Sequence, residues 1–95
     1  MIVRLAETAR ADLLEIWQYV GRDNAGAAER QLDRLKSAIV RLGDFPNLGL
    51  ARDDLRSGLR MLRVDRYAIF YCRRDQRLIV ERILHASRHT DSIRF

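Results

Sequence analysis

The sequence predicts an α+β domain in two layers: an N-terminal strand, an antiparallel helical hairpin, and a three-stranded antiparallel meander. Three observations carry this. Between residues 8 and 42 two apolar stripes of helical period are divided by the polar break "GRDN". Between residues 59 and 84 three β-branched and aromatic runs are divided by short polar joints. A chain of 95 residues and 11.1 kDa forms one domain, residues 1–95. At that size it buries about 60–65% of its unfolded surface, enough for a single two-layer core.

The elements follow in order. "MIVRL" is short, apolar and β-branched, and reads as a strand near residues 2–5. A helix is expected over 8–20, with Thr8 as its N-cap. Its stripe is Ala9, Leu13, Ile16, Trp17 and Val20. After the break, Asp23 or Asn24 caps a second helix over 24–42, which buries Ala28, Leu32, Leu35, Ile39 and Leu42. Gly43 is the expected stop, with Pro46 just beyond. Two helices joined so briefly lie antiparallel. "FPNLGLARDDLRSG" reads as a loop. Strands are then expected at Leu59–Val64, Tyr67–Cys72 and Leu78–Leu84. Asp65-Arg66 makes a tight joint without glycine, and "RRDQ" a polar hairpin connection. Trp17, Leu35, Ile39, Ile69 and Phe70 are the expected core.

Composition narrows the function classes. The 47% hydrophobic and 33% charged content fits a folded, water-soluble domain. The single cysteine, Cys72, cannot close an internal disulfide, and its apolar strand makes it a buried structural thiol. The first ten residues carry Arg4 and Glu7 and do not resemble a secretory signal, and no run approaches the roughly 18 apolar residues of a membrane span. The expected location is the cytoplasm. Residues 1–51 balance seven basic against seven acidic side chains, whereas residues 52–95 hold eleven basic and six acidic, the whole net +5. That asymmetry points to an acidic partner for the second half, either nucleic acid or an acidic protein segment.

Within that half, "GLRMLRVDRYAIFY" carries Arg60, Arg63 and Arg66 at three-residue intervals. In a strand an odd separation sends Arg60 and Arg63 to opposite faces, and Arg66 falls at the turn. One arginine is expected beside the helices and another on a sheet face left uncovered, a surface suited to anions. The binding cations read from the chain are Arg60, Arg63, Arg66, Arg73, Arg82 and Arg88.

Few catalytic constellations survive. His85 and His89 have the spacing of metal ligands on a helix, but "ASR" between them supplies no glutamate and no carboxylate or cysteine cluster completes a site. No metal and no cofactor is expected. Serines 37, 57, 87 and 92 lack an elbow-like setting, and the scattered glycines make no phosphate loop. RNA cleavage needs only a general acid or base and cations around a phosphorane. His85 with Arg63, Arg66 and Arg88 has those groups. Tyr67, Phe70 and Tyr71 have faces for stacking bases, although strand spacing assigns most of them to packing.

In "ARADLLEIWQYV", Asp12-Leu13, Ile16 and Tyr19 hold the spacing of the first helix of the ParE/RelE toxin superfamily. "FPNLG", "GLRMLRVDRYAIFY" and "ERILHASRH" follow in that superfamily's order and at similar intervals. The chain resembles a ParE-type toxin over nearly its full length. The resemblance implies a helical hairpin on a small antiparallel sheet, and a role in a bacterial type II toxin–antitoxin module. ParE-like toxins inhibit DNA gyrase, and RelE-like relatives cut messenger RNA in the ribosome. The RNA-cutting relatives carry a mid-strand arginine where "RYAIFY" has Ala68, and some use a tyrosine in the tail, which here ends Ile93-Arg94-Phe95. The resemblance therefore implies a gyrase inhibitor that is not an enzyme, with a ribosome-dependent endoribonuclease using His85, Arg88 and Arg66 as the alternative. It also implies a cognate antitoxin whose extended acidic segment lays apolar side chains on the hairpin's exposed groove and offers carboxylates to arginines.

Overall fold

A computed structural model describes residues 1–87 and 95. The order is β1 (Ile2–Leu5), α1 (Glu7–Gly21), α2 (Ala25–Asp44), β2 (Leu50–Ala51), β3 (Arg60–Val64), β4 (Tyr67–Arg74) and β5 (Arg77–His85). The strands form one sheet in the order β1-β5-β4-β3-β2, in which β1 runs parallel to β5 and the other pairs are antiparallel. The predicted α+β arrangement is present, with the helical hairpin on one face. The loop after α2 contains an unpredicted edge strand, β2. Among the described residues no helix is long and apolar enough to cross a membrane.

The start of α1 is one residue earlier than expected, and Thr8 is not its cap. Ala6 is the N-cap and makes no side-chain cap bond. Its N–H continues the β1–β5 ladder by donating to the Val80 carbonyl at 2.9 Å, so the chain turns from strand to helix without a polar cap residue. Thr8 instead donates its hydroxyl to the Glu81 carbonyl at 2.7 Å. For α2 the expectation holds at Asn24, whose side chain accepts from the Ala27 N–H at 3.0 Å. Gly43 does not stop α2, which runs on to Asp44. A Cβ there would lie 3.0 Å from both the Met1 carbonyl and Val3. The glycine lets α2 approach β1.

Helix-side packing gathers Ala9, Ile16, Leu35, Ile39, Leu42, Ile69, Tyr71, Val80 and Ile83. Four of the five expected core residues are buried, and Trp17 is not: it is 42% exposed. The buried face of α1 centres on Ala9, Asp12 and Ile16. At 100° per residue Trp17 stands about 80° round from Ala9, at the margin of that face. The anchoring of Asp12 to β5, described below, sets the rotation.

The far sheet face is also not the open surface expected. Leu59, Ala68, Phe70 and Leu84 form a second apolar cluster there, covered by Leu55, Met61 and Phe95, with the Phe70 and Phe95 ring centroids 4.9 Å apart. A chain this small closes both faces of the meander by folding the 52–59 segment beneath it. A salt bridge from Arg56 to Glu81 pins that segment.

The two hairpin turns work without glycine because Asp65 (φ 54°) and Asp75 (φ 56°) take the left-handed conformation, which short polar side chains tolerate better than most. The Asp65 carboxylate accepts from Gln31 at 3.0 Å and Arg34 at 2.6 Å. This ties the β3–β4 turn to α2 and lowers the pKa of the Asp65 carboxyl.

Candidate functional site

β1 ends at Leu5, opposite Val80, which leaves the rest of β5 as a free edge. The first turns of α1 close that edge. Beyond the Ala6 and Thr8 bonds, the Asp12 carboxylate accepts from the Ile83 N–H at 2.9 Å and from Arg82 Nε and Nη2 at 2.8 and 3.1 Å. Asp12 is the one buried charged residue among those described. It raises the Arg82 pKa through its hydrogen bond. Arg82, expected to bind a partner, is committed to this internal pair because a carboxylate buried at a strand edge needs a counter-charge.

Arg60 is likewise turned inward. Its guanidinium donates to the Gly49 carbonyl at 2.6 and 3.1 Å and to the Asn47 carbonyl at 3.2 Å. Beside it the buried Tyr71 hydroxyl donates to the Pro46 carbonyl at 2.8 Å and accepts from the Gly49 N–H at 2.9 Å. Together they hold the loop before β2, whose carbonyls have no strand partner. A Cβ at Gly49 would come within 2.7 Å of the Met61 carbonyl.

The remaining predicted cations are dispersed. Arg63 is exposed beside Ala68 and Phe70 on the far face. Arg66 is exposed at the β3–β4 turn, and Arg73 is exposed near the other end of β4. At about 3.3 Å per residue, Arg66 and Arg73 are roughly 23 Å apart. Arg88 and His89 lie outside the described residues. The expected trio of His85, Arg66 and Arg88 is thus testable only in its first two members. Those two share a groove between the end of α1 and the ends of β4 and β5, where the Ala86 N–H donates to the Arg66 carbonyl at 2.7 Å. His85 packs edge-on against Tyr67, ring centroids 5.6 Å apart. Its Nδ1 accepts from the Ser87 N–H at 3.2 Å, which leaves Nε2 directed away from that bond.

Cys72 is buried, as its strand implied, and burial pushes its thiol pKa up. A thiol so placed is a poor nucleophile. No three metal-ligating side chains converge among the described residues.

A second groove lies between α1 and α2 over β1. Leu13, Leu14, Trp17, Leu32 and Val40 line it, with Arg10 and Lys36 as its cations. Leu14, Trp17 and Val40 are 56%, 42% and 68% exposed, high for large apolar side chains in one patch. The sequence signal for it is Leu14: "DLLEIW" holds more apolar residues than one buried stripe of α1 can use.

Residues 3–90 match the family model described as the ParE toxin of the type II toxin–antitoxin system parDE. Toxin ParE1 of Mycobacterium tuberculosis is 35% identical over 89 residues, covering 92% of this chain and 91% of that protein. Toxin ParE3 of Caulobacter vibrioides is 36% identical over 74 residues, covering 77% and 74%. Toxin RelE2 of the same organism is 38% identical over 81 residues, covering 84% and 89%. Among solved structures, a chromosomal ParDE toxin–antitoxin system from P. aeruginosa matches with a TM-score of 0.79 at 20% identity, over 92% of this chain and 97% of that one. With a family match over nearly its whole length and relatives above 30% identity, this chain belongs to the ParE toxin family of type II toxin–antitoxin systems.

Proposed function

We propose that the protein inhibits DNA gyrase in the cytoplasm and is silenced by a cognate antitoxin whose apolar segment fills the groove between α1 and α2. One observation carries the choice of target. The far sheet face, where the resemblance puts the mid-strand arginine of RNA-cutting relatives, has Ala68 at 4% exposure inside the cluster of Leu59, Phe70 and Leu84. Cleavage of a phosphodiester requires several cations already in position around the developing charge, and here a methyl group stands at the mid-strand position, with Arg63 on the neighbouring strand beside it. The antitoxin assignment is supported by the exposed Trp17, Leu14 and Val40. Arg10 and Lys36 beside them, and the +5 balance of residues 52–95, suit a segment carrying carboxylates.

The ribonuclease reading keeps one supporting observation: His85 and Arg66 share a groove, and the RelE2 relative is similar over most of its length. Expression of the toxin alone separates the two. Loss of negative supercoiling with translation intact supports gyrase. Discrete messenger RNA cuts in the ribosomal A site, lost in His85→Ala, would overturn that reading.

A further inference from the structure

The groove at the end of α1 is used neither by the antitoxin assignment nor by the far-face argument. It measures about 770 Å³, and its lining includes Glu15, Arg22 and Arg66. Glu15 and Tyr19 on α1 and its C-cap residue Arg22 follow at i, i+4 and i+7, so the acid and the arginine lie about 10 Å apart along the helix axis. Arg66 faces the groove from the β3–β4 turn, and Tyr67 and His85 form its floor.

Tyr67 is the informative residue. It is 92% buried, at 8% relative exposure, yet its hydroxyl has no hydrogen-bond partner among the described residues. No buried side-chain polar atom is left unsatisfied, so that hydroxyl opens into the groove. Burial raises the Tyr67 pKa, with a further rise from the neighbouring Tyr19 phenol and a counteracting pull from Arg66. All three groups line this groove. The Tyr67 ring is held by packing while its hydroxyl stays available to a ligand entering the groove. Arg66 and Arg22 make no ion pair with any described residue, and the nearby Asp65 charge is already met by Arg34. The C-terminal end of α1 carries partial negative charge, so an anion here must be held by side chains.

We propose that this groove binds a nucleotide, its phosphate on Arg66, Arg22 and the Tyr67 hydroxyl, its base on the exposed Tyr19 ring. Glu15 at the far end accepts from an exocyclic amine, as carboxylates do from cytosine, which selects an amino-bearing base. The same carboxylate disfavours an acidic peptide, which would have to run past it. The base–phenol contact is of the stacking kind seen in single-strand binding. This inference stands apart from the gyrase reading and concerns different residues.

The test is a titration of the purified full chain with adenosine monophosphate, followed by amide chemical shifts. Inorganic phosphate, adenosine, a 5′-phosphorylated oligodeoxynucleotide and an acidic peptide are titrated in parallel. Saturable shifts at Tyr19, Arg66 and His85 are expected with the nucleotide, weakening as salt rises. Tyr67→Phe, which keeps the ring, is expected to weaken binding about fivefold. Arg66→Ala is expected to weaken it about tenfold or more. Tighter binding of the oligonucleotide would assign the phosphate to a strand end, and equal binding to a free nucleotide. The proposal is overturned if the nucleotide gives no saturable shift, if inorganic phosphate alone binds as well, if the peptide binds better, or if neither substitution matters in a folded variant.

Discussion

Replacing Asp12 by alanine removes three hydrogen bonds to one carboxylate, two from Arg82 and one from the Ile83 N–H. The cost has two parts. The Ile83 N–H on the β5 edge loses its acceptor, about 1–2 kcal/mol for a buried backbone donor. The Arg82 guanidinium loses its counter-charge. Its side chain is 24% exposed, so water recovers part of that loss, and the total falls near ~3 kcal/mol, the low end for a broken buried pair. A domain this size has about 5–14 kcal/mol of stability in all, and Tm should fall by roughly 12–24 °C. Urea unfolding followed by far-UV circular dichroism gives the number directly. The double variant Asp12→Ala/Arg82→Met removes the stranded charge and should be more stable than Asp12→Ala by about 1 kcal/mol. If Asp12→Ala costs less than about 1 kcal/mol, or if the double variant is worse than the single one, the reasoning from a buried charge at a strand edge is wrong.

Three further outcomes are expected. Trp17 is the only tryptophan, so antitoxin binding in the α1–α2 groove should shift its fluorescence to the blue. Trp17→Ala should weaken the complex by about thirtyfold or more, the effect of a central aromatic anchor, as read by calorimetry. Gly49→Ala pushes a Cβ to 2.7 Å from the Met61 carbonyl and 2.8 Å from the Tyr71 hydroxyl, and should cost about 2–3 kcal/mol in chemical unfolding. Burial raises the Glu81 carboxyl, but the hydrogen bonds from Arg56 and Cys72 and the charges of Arg56 and Arg74 together outweigh it and hold it below 4.5. A depressed folded pKa gives stability that is complete above the unfolded value and fades as pH falls through the folded one. Stability should therefore drop below about pH 4.5 as the latch of the 52–59 segment protonates. Glu81→Gln should be less stable at pH 7 and flatter in that window.

Element type and order were legible in the chain, because apolar period is local. The stripe of α2, the Asn24 cap and the alternation in β3–β5 each depend on residues a few positions apart. The family resemblance was legible for the same reason, since it rests on spaced runs in a fixed order. Rotation and covering were not. Whether Trp17 faces in or out was decided by Asp12, seventy residues from the Arg82 it holds, and a helical period cannot register that pull. The far face read as an open anion surface because Leu55, Leu59 and Phe95 give no periodic sign that they fold beneath Ala68 and Phe70. Arg60 and Arg82 look identical in sequence to Arg63 and Arg66, yet two satisfy orphan backbone and carboxylate groups while two make no ion pair with any described residue. What an arginine does depends on which unpaired acceptor lies within its reach, and only the folded chain brings those acceptors near.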